Sequence, residues 1–210
     1  MAPSGSFPNG PASSAPQHAQ AVAEFARDGH GPGGAEHART IYLLRHAKSS
    51  WEQLGVDDHG RPLANRGEKA AGLLAKYVVS QAIRPDMTLC STAKRARDTF
   101  LTVFPGRAAA YEGGLYLATA GELLERLCRV PPQTRSVLVV GHNPALQKLT
   151  LKLAGAELAG RPPHGEGLAE IREKLPTGAL VTLRFMGPWA QLCEGAAELE
   201  DYVRPKALLR

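Results

Sequence analysis

Short apolar runs alternate along this chain with longer segments that are rich in alanine and leucine. Residues 41–44, 87–90 and 136–140 are short and mostly apolar, as parallel strands buried on both faces are. Residues 65–80 and 144–155 have the length and composition of helices. This alternation predicts an α/β fold: a three-layer sandwich in which helices flank a mostly parallel central sheet.

Turn and capping residues set further element boundaries. Asn65 is predicted to cap a helix that runs to about Ser80, and Pro144 suits the first turn of a helix that ends near Gly155. Smaller elements are predicted between these two helices and after them: a helix over 92–104, a strand over 107–111, a helix over 122–129, and an irregular loop with a short helix over 156–178.

The C-terminal part of the chain predicts an antiparallel hairpin. Residues 179–185 and 189–193 are predicted strands, and Met186, Gly187 and Pro188 between them are predicted to form the connection. We therefore expect one antiparallel edge hairpin near the C-terminus of an otherwise parallel sheet.

Residues 1–38 differ from the rest of the chain in composition. They are crowded with Gly, Pro, Ala and Ser and hold few large apolar side chains, so they cannot bury enough surface to fold. We expect a flexible, disordered leader over 1–38 and a single domain over 39–210. The leader has a formal charge of −2, from one Arg against three acidic residues. Residues 39–210 therefore have a formal charge of +7, and the two parts together give the net charge of +5.

Composition excludes several classes of function. The pI is near 9.3, but the basic residues are dispersed and there are only two Trp for base stacking, so we expect no nucleic-acid partner. No apolar run approaches the ~20 residues that span a bilayer, so we expect no membrane association.

Cys90, Cys128 and Cys193 are widely spaced, which argues against a disulfide framework or a structural zinc site and favours the cytoplasm. We expect a monomer.

Three predicted strands end in residues that can hold an anion. Arg45 and His46 follow the first strand, Arg95 follows the second, and His142 follows the strand over 136–140. Ligands of open α/β sheets bind beyond the carboxyl ends of strands. One guanidinium group can bind two phosphate oxygens at once, and a neutral imidazole can attack phosphorus. These residues therefore predict a phosphoryl-transfer site.

The same segments resemble the histidine phosphatase superfamily, branch 1, the phosphoglycerate mutase-like group that includes the SixA phosphohistidine phosphatases. Four blocks match in order: LLRHAKSSW at 43–51, RPLANRGEKAA at 61–71, STAKRARDT at 91–99 and GHNP at 141–144. The ending, with GALVTLRFMGPWAQL and DYVRPKAL, is similar to the SixA-like branch in particular. The resemblance covers nearly all of residues 40–208 and implies a phosphoglycerate mutase-like fold.

The resemblance implies a two-step reaction without a metal or other cofactor. His46 would attack the phosphoryl group and form a phosphohistidine intermediate, which water then hydrolyses. Arg45 and Arg95 would bind the phosphate, and His142 would stabilise its charge. Glu112, just after the predicted strand over 107–111, is our candidate for the general acid.

The resemblance leaves several points open. The substrate is either a phosphorylated small molecule or a phosphohistidine protein, since short connections after the strands predict a shallow site that admits both. Lys48 either lines the mouth of the pocket or is a plain surface residue. A mutase and a catalytically silent phosphate-binding module of the same fold are the alternatives to a phosphatase. Cys90 precedes Arg95 by one residue too few for a cysteine-based phosphatase loop, so we expect a buried strand residue there.

Overall fold

The computed structural model describes residues 38–52, 55–155 and 166–209. The strands of this part form one sheet in the order β3-β2-β4-β1-β5-β6. Neighbours from β3 to β1 are parallel, and β5 is antiparallel to both β1 and β6. The strands are β1 (Ala38–Arg45), β2 (Met87–Ser91), β3 (Ala110–Glu112), β4 (Ser136–Gly141), β5 (Leu180–Met186) and β6 (Ala197–Val203). The predicted α/β fold with a mostly parallel sheet is confirmed.

Helices cover both faces of the sheet. They are α1 (Asn65–Ser80), α2 (Lys94–Val103), α3 (Ala120–Cys128), α4 (Ala145–Leu153) and α5 (Glu166–Glu173), with short 3₁₀ turns at Gly113–Leu115, Trp189–Gln191 and Pro205–Leu209. The helix predicted within 156–178 is α5, whereas residues 156–165 lie outside the described part.

The two faces of the sheet bury separate hydrophobic cores. On one face, Leu74 of α1 and Phe100 of α2 pack with Leu44 of β1. On the other, Leu127 of α3 and Leu149 of α4 belong to the core that contains the alternate β1 residues. Because β1 is covered on both faces, its sequence is a continuous apolar run rather than an alternating one.

The C-terminal hairpin is confirmed, but the second strand predicted for it is wrong. Residues 189–191 form a 3₁₀ turn that buries Trp189, whose indole donates to the Thr134 carbonyl. The second strand of the hairpin is β6, and a register shift between Thr182 and Leu183 interrupts its pairing with β5. The connection therefore runs from Gly187 to Ala196 rather than through three residues.

Two smaller expectations also need correction. Ala64, not Asn65, is the N-cap of α1, and no side chain caps this helix. The predicted leader over 1–38 lies outside the described residues except for Ala38, which already belongs to β1.

A close contact fixes the start of α1 against the segment that follows β1. The Lys48 carbonyl accepts a hydrogen bond from the Ala64 N–H at 2.8 Å. A Cβ on Gly67 would lie 2.1 Å from that same carbonyl oxygen. Only glycine allows the helix to approach so closely, and the contact holds α1 beside residues 45–48.

Candidate active site

The three strand ends that carry the predicted site residues meet because their strands are neighbours. β2, β4 and β1 lie side by side and parallel, so their carboxyl ends share one edge of the sheet. The His46 N–H donates to the Gly141 carbonyl at 3.0 Å and joins the ends of β1 and β4 directly. We call Arg45, His46, Arg95 and His142 the strand-end cluster.

His46 is held in one tautomer. Its Nδ1 lies 2.7 Å from the Ala47 carbonyl, and because a carbonyl only accepts hydrogen bonds, Nδ1 must carry the proton. Burial lowers the pKa of His46 to about 4, and the positive charges of Arg95, Arg45 and Arg61 act in the same direction against the Ala47 hydrogen bond. The ring is therefore neutral at pH 7, and the lone pair on its Nε2 is free.

His142 faces His46, with the ring centroids 5.0 Å apart. Its Nε2 lies 2.8 Å from Oγ of Ser91, the last residue of β2, and its buried Nδ1 has no hydrogen-bond partner within the described ranges. Burial lowers the pKa of His142 to about 3, helped by the charges of His46 and Arg95. Both imidazoles are thus neutral before an anion binds.

A hydrogen bond to the segment before β5 holds the side chain of Arg45. Its Nη1 donates to the Leu175 carbonyl at 2.6 Å, and its buried Nε has no partner among the residues that the structure describes. The Leu175 carbonyl also accepts from Asn143, next to His142. The segment before β5 therefore positions residues on two of the three strand ends.

Asp58 binds the guanidinium of Arg95. Its Oδ2 accepts from Arg95 Nη2 at 2.9 Å, and its backbone carbonyl accepts from Nη1. Its Oδ1 accepts from Arg61 at 2.7 Å, and the Tyr116 hydroxyl donates to Oδ2. The Tyr116 hydrogen bond, followed by the contacts with Arg61 and Arg95, holds the pKa of Asp58 well below its usual range. An ionised carboxylate thus binds both Arg95 and Arg61.

Arg61 is a buried cation that the sequence analysis included only in the matched block over 61–71. It donates from Nε to the Ser50 carbonyl and from Nη2 to the Ser49 hydroxyl, and Trp51, 73% exposed, stacks on its guanidinium. Its charge contributes to the lowered pKa of His46. Arg61 therefore belongs to the electrostatic surroundings of the strand-end cluster.

Glu112 lies at the end of β3, in register with Ser91 of β2. Both of its carboxylate oxygens accept from Arg126 of α3, at 2.7 and 2.9 Å for the closest contacts. The predicted general acid is therefore engaged in a bidentate ion pair with a helix on one face of the sheet, and it would have to leave that pair to reach a leaving group.

Cys90 is fully buried in the core between β2 and the α1 and α2 helices, and burial raises the pKa of its thiol to about 12. A thiol in this state is no nucleophile at neutral pH. The expectation of a buried strand residue at Cys90 is confirmed.

Two residues around the site were missed by the sequence analysis: Asp58 and Tyr116. Asp58 lies in the connection over 46–64, which is longer than the short connections expected after the strands. The one signal for it was its spacing of three residues before Arg61. Ser91 follows the buried residues of β2 directly, so its position at the strand end was visible, but its contact with a residue 51 positions away was not.

Two kinds of site are absent from the described ranges. They contain no group of three or more His, Cys, Asp or Glu side chains that could hold a metal ion. No helix among them is both long enough and apolar enough to cross a bilayer.

Comparison with known proteins gives the family of this chain. A model of the histidine phosphatase superfamily (branch 1) matches residues 41–112. An uncharacterized protein of Mycobacterium tuberculosis is 38% identical over 164 residues, which cover 78% of this chain and all of the relative. The match therefore extends through β4 and His142, beyond the segment that the family model covers.

Solved structures share the fold. A Nakamurella multipartitia protein assigned as phosphohistidine phosphatase SixA is 30% identical, with a TM-score of 0.70 over 83% of this chain and 99% of that one. An Agrobacterium tumefaciens protein with the same assignment is 29% identical, with a TM-score of 0.65 over 80% and 98% of the two chains. The chain belongs to the histidine phosphatase superfamily, branch 1, and is similar to its SixA-like members.

Proposed function

We propose that the protein is a metal-independent phosphatase that hydrolyses phosphohistidine or a small phosphomonoester through a phosphohistidine intermediate on His46. The observation that carries this proposal is the hydrogen bond from His46 Nδ1 to the Ala47 carbonyl. That bond leaves the lone pair of Nε2 free, and the lowered pKa keeps the ring unprotonated at neutral pH. A positioned, neutral imidazole is what nucleophilic attack on phosphorus requires.

The positive charge for the transferring group would come from the protein itself. Arg45 and Arg95 supply guanidinium groups at adjacent strand ends, where they can neutralise the equatorial oxygens of the phosphoryl group. A bound phosphate dianion would also raise the pKa of His142, because its negative charge opposes the burial that lowers it now. His142 would then donate a hydrogen bond to the phosphoryl group as charge develops.

The hydrogen bonds between Asp58 and Arg95 would have to break before Arg95 could bind the phosphate. Both terminal nitrogens of Arg95 donate to Asp58. The phosphate therefore competes with a carboxylate that is already in place, and Arg95 is held in position by this contact before substrate binds. Preorganised cations need little rearrangement during the reaction.

The carboxylates near the site favour substrates with good leaving groups. Asp58 is ionised, and Glu112 is bound at both oxygens by Arg126. A substrate whose leaving group departs without a proton, such as phosphohistidine or an aryl phosphate, is suited to this arrangement. Glu112 as the general acid stays a prediction, as do a monomeric state and a cytoplasmic location.

The test is hydrolysis of an aryl phosphate in excess chelator by the wild type and by His46→Ala. We expect turnover in the wild type and a loss of at least about 1,000-fold in the variant, because removal of a nucleophile abolishes the covalent route. Rapid quenching should also trap acid-labile, base-stable phosphate on the wild type alone. Equal rates in the two proteins would overturn the proposal and favour a silent phosphate-binding module. Transfer of the trapped phosphate to a second substrate molecule in preference to water would indicate the mutase.

A further inference from the structure

A cavity of about 690 Å³ lies beside the strand-end cluster, and Arg45 forms part of its wall. We call it the basic cavity, because its wall also contains five other cations: Lys48, Arg66, Lys69, Lys174 and Lys206. No Asp or Glu lines it within the described part of the chain. Its volume is within the range of small-molecule binding sites.

Three elements place these cations around one cavity that Arg45, the last residue of β1, helps to line. The close contact of Gly67 with the Lys48 carbonyl holds the first turns of α1, and hence Arg66 and Lys69, against the segment after His46. The Gly178 N–H donates to the carbonyls of both Arg45 and His46, at 3.0 and 3.1 Å. Residues 174–177, which precede it, are thereby fixed along the same segment.

The C-terminal 3₁₀ turn closes the third side of the basic cavity. A Cβ on Gly178 would lie 2.9 Å from Pro205 Cγ, so the turn that carries Lys206 packs directly on this strand end. Cations from α1, from the segment before β5 and from the C-terminal turn therefore converge on one cavity that begins at Arg45.

Within the described part of the chain, the charges of the basic cavity have no acidic partner. Besides Arg45, five cations line the cavity, and none of these five forms an ion pair with a carboxylate of the described ranges. Like charges brought together without acidic partners repel one another, so this arrangement costs stability unless an anion binds there. Arg61 and Arg95, in contrast, already share Asp58.

We propose that the basic cavity binds a second phosphate group of the substrate while the strand-end cluster holds the one to be cleaved. The substrate class is then a small molecule with two phosphate groups, or with a phosphate chain. This inference rests on the proposed phosphatase activity at His46 and narrows its substrate. A concave cavity of this size suits a small ligand better than the surface of a phosphohistidine protein.

The test compares aryl phosphates that carry a second phosphate group on an alkyl tether of increasing length with the same aryl phosphates without it. We expect the best bisphosphate to have a kcat/KM about 10-fold or more above that of its monophosphate, since a charged hydrogen bond contributes roughly this much. The preference should shrink as ionic strength rises. The double variant Lys69→Ala, Lys206→Ala should lower the bisphosphate to monophosphate ratio by about 10-fold.

Lys76→Ala provides the matched control. Lys76 is an exposed cation on the same helix as Lys69 but lies outside the basic cavity. This variant should leave the ratio unchanged. An equal kcat/KM for the two substrates in the wild type, or an equal drop in the ratio for Lys76→Ala and the double variant, would overturn the inference. Rapid turnover of a phosphohistidine protein that is indifferent to the double variant would overturn it in favour of a protein substrate.

Binding of inorganic tripolyphosphate, measured by calorimetry, separates failure of this inference from failure of the proposed function. Tripolyphosphate binding that depends on Lys69 and Lys206, without hydrolysis of any phosphoester, would reject the phosphatase and keep the anion site. Hydrolysis of monophosphates with tripolyphosphate binding that is unaffected by the double variant would keep the phosphatase and reject the site. A preference for tripolyphosphate over every bisphosphate would indicate that the second phosphate is joined to the first through an anhydride.

Discussion

The strand-end cluster and the basic cavity are both positively charged, but they hold their charges differently. Arg95 is buried, 7% exposed, and both of its terminal nitrogens are bound by Asp58. Lys69, Lys174 and Lys206 of the basic cavity are exposed and have no ion-pair partner among the described carboxylates. In the strand-end cluster, burial and hydrogen bonds fix the direction of each donor. In the basic cavity, the positive charge is carried by flexible lysine side chains.

This difference corresponds to the two tasks of a phosphatase. Stabilising a transferring phosphoryl group requires donors at fixed positions, which planar and buried guanidinium groups provide. Recognising the rest of a substrate requires only a favourable charge, and ammonium groups provide it over a range of distances. We therefore expect substitutions in the strand-end cluster to affect kcat and those in the basic cavity to affect substrate preference.

Replacing Arg95 by Lys should give the largest effect. The variant keeps the charge but loses the paired donors, so we expect kcat for an aryl phosphate to fall by about 100- to 1,000-fold. Arg97→Lys is the matched control, because Arg97 is on the same helix but is exposed and lies over the Tyr111 ring. A comparable loss of kcat in both variants would show that the direction of the guanidinium donors matters no more at Arg95 than at the exposed Arg97.

Gly67→Ala should disturb both regions together. Its Cβ would meet the Lys48 carbonyl at 2.1 Å, so α1 must move away from the segment that joins the cluster to the basic cavity. We expect the free energy of unfolding to fall by about 1–3 kcal/mol, measured by urea denaturation.

Gly72→Ala, in the same helix, has no atom within 4 Å of its added Cβ. That control should raise stability by about 0.5–1 kcal/mol, because alanine favours helix over glycine. If both variants shifted stability in the same direction, the close approach at Lys48 would not be the cause.

The titration of His46 tests the electrostatics of the cluster. Because its folded pKa is about 4, the ring should stay neutral as the pH falls from 7 and gain its proton only near pH 4. In the unfolded chain it would be protonated near pH 6.5, so His46 should make the protein less stable as the pH falls from about 6.5 to about 4. Nitrogen NMR of the ring should show a proton on Nδ1, and His46→Asn assigns the signal. A midpoint near 6.5 would contradict the lowered pKa.

Asp58→Asn should have the smallest effect. Removing the carboxylate frees Arg95 and Arg61 for an incoming anion, so inorganic phosphate should inhibit about 3- to 10-fold more tightly. Asp57→Asn is the control, since the Asp57 carboxylate accepts from the Gly60 N–H and touches neither arginine. Weaker inhibition in Asp58→Asn would mean that this carboxylate chiefly holds Arg95 in place.

The sequence predicted those parts of the molecule in which local pattern and fold agree. The strand β1 is a continuous apolar run because both of its faces are covered, and the residues after β1, β2 and β4 were predicted to converge because parallel neighbours end at one sheet edge. β6 was missed because its sequence, AELEDYV, is rich in acidic residues, and a register shift in its pairing breaks a simple alternation.

The predicted site lacked contacts that only the folded chain creates. Asp58 lies in an irregular connection where no periodicity marks it, and its bond to Arg95 spans 37 residues. Glu112 was expected just after a strand and is instead the last residue of β3, and its ion pair with Arg126 depends on how α3 packs. Long-range polar contacts of this kind depend on tertiary packing and leave no local pattern in the sequence.

If His46 is the nucleophile, as proposed, the main chain of Ala47 also determines which isomer of phosphohistidine would form. Because Nδ1 of His46 is committed to the Ala47 carbonyl, a phosphoryl group can be carried only on Nε2, as the tele isomer. The pros isomer, phosphorylated on Nδ1, would require the ring to turn within a site where it is only 8% exposed. An antibody specific for the tele isomer should therefore recognise the trapped enzyme, and one specific for the pros isomer should not.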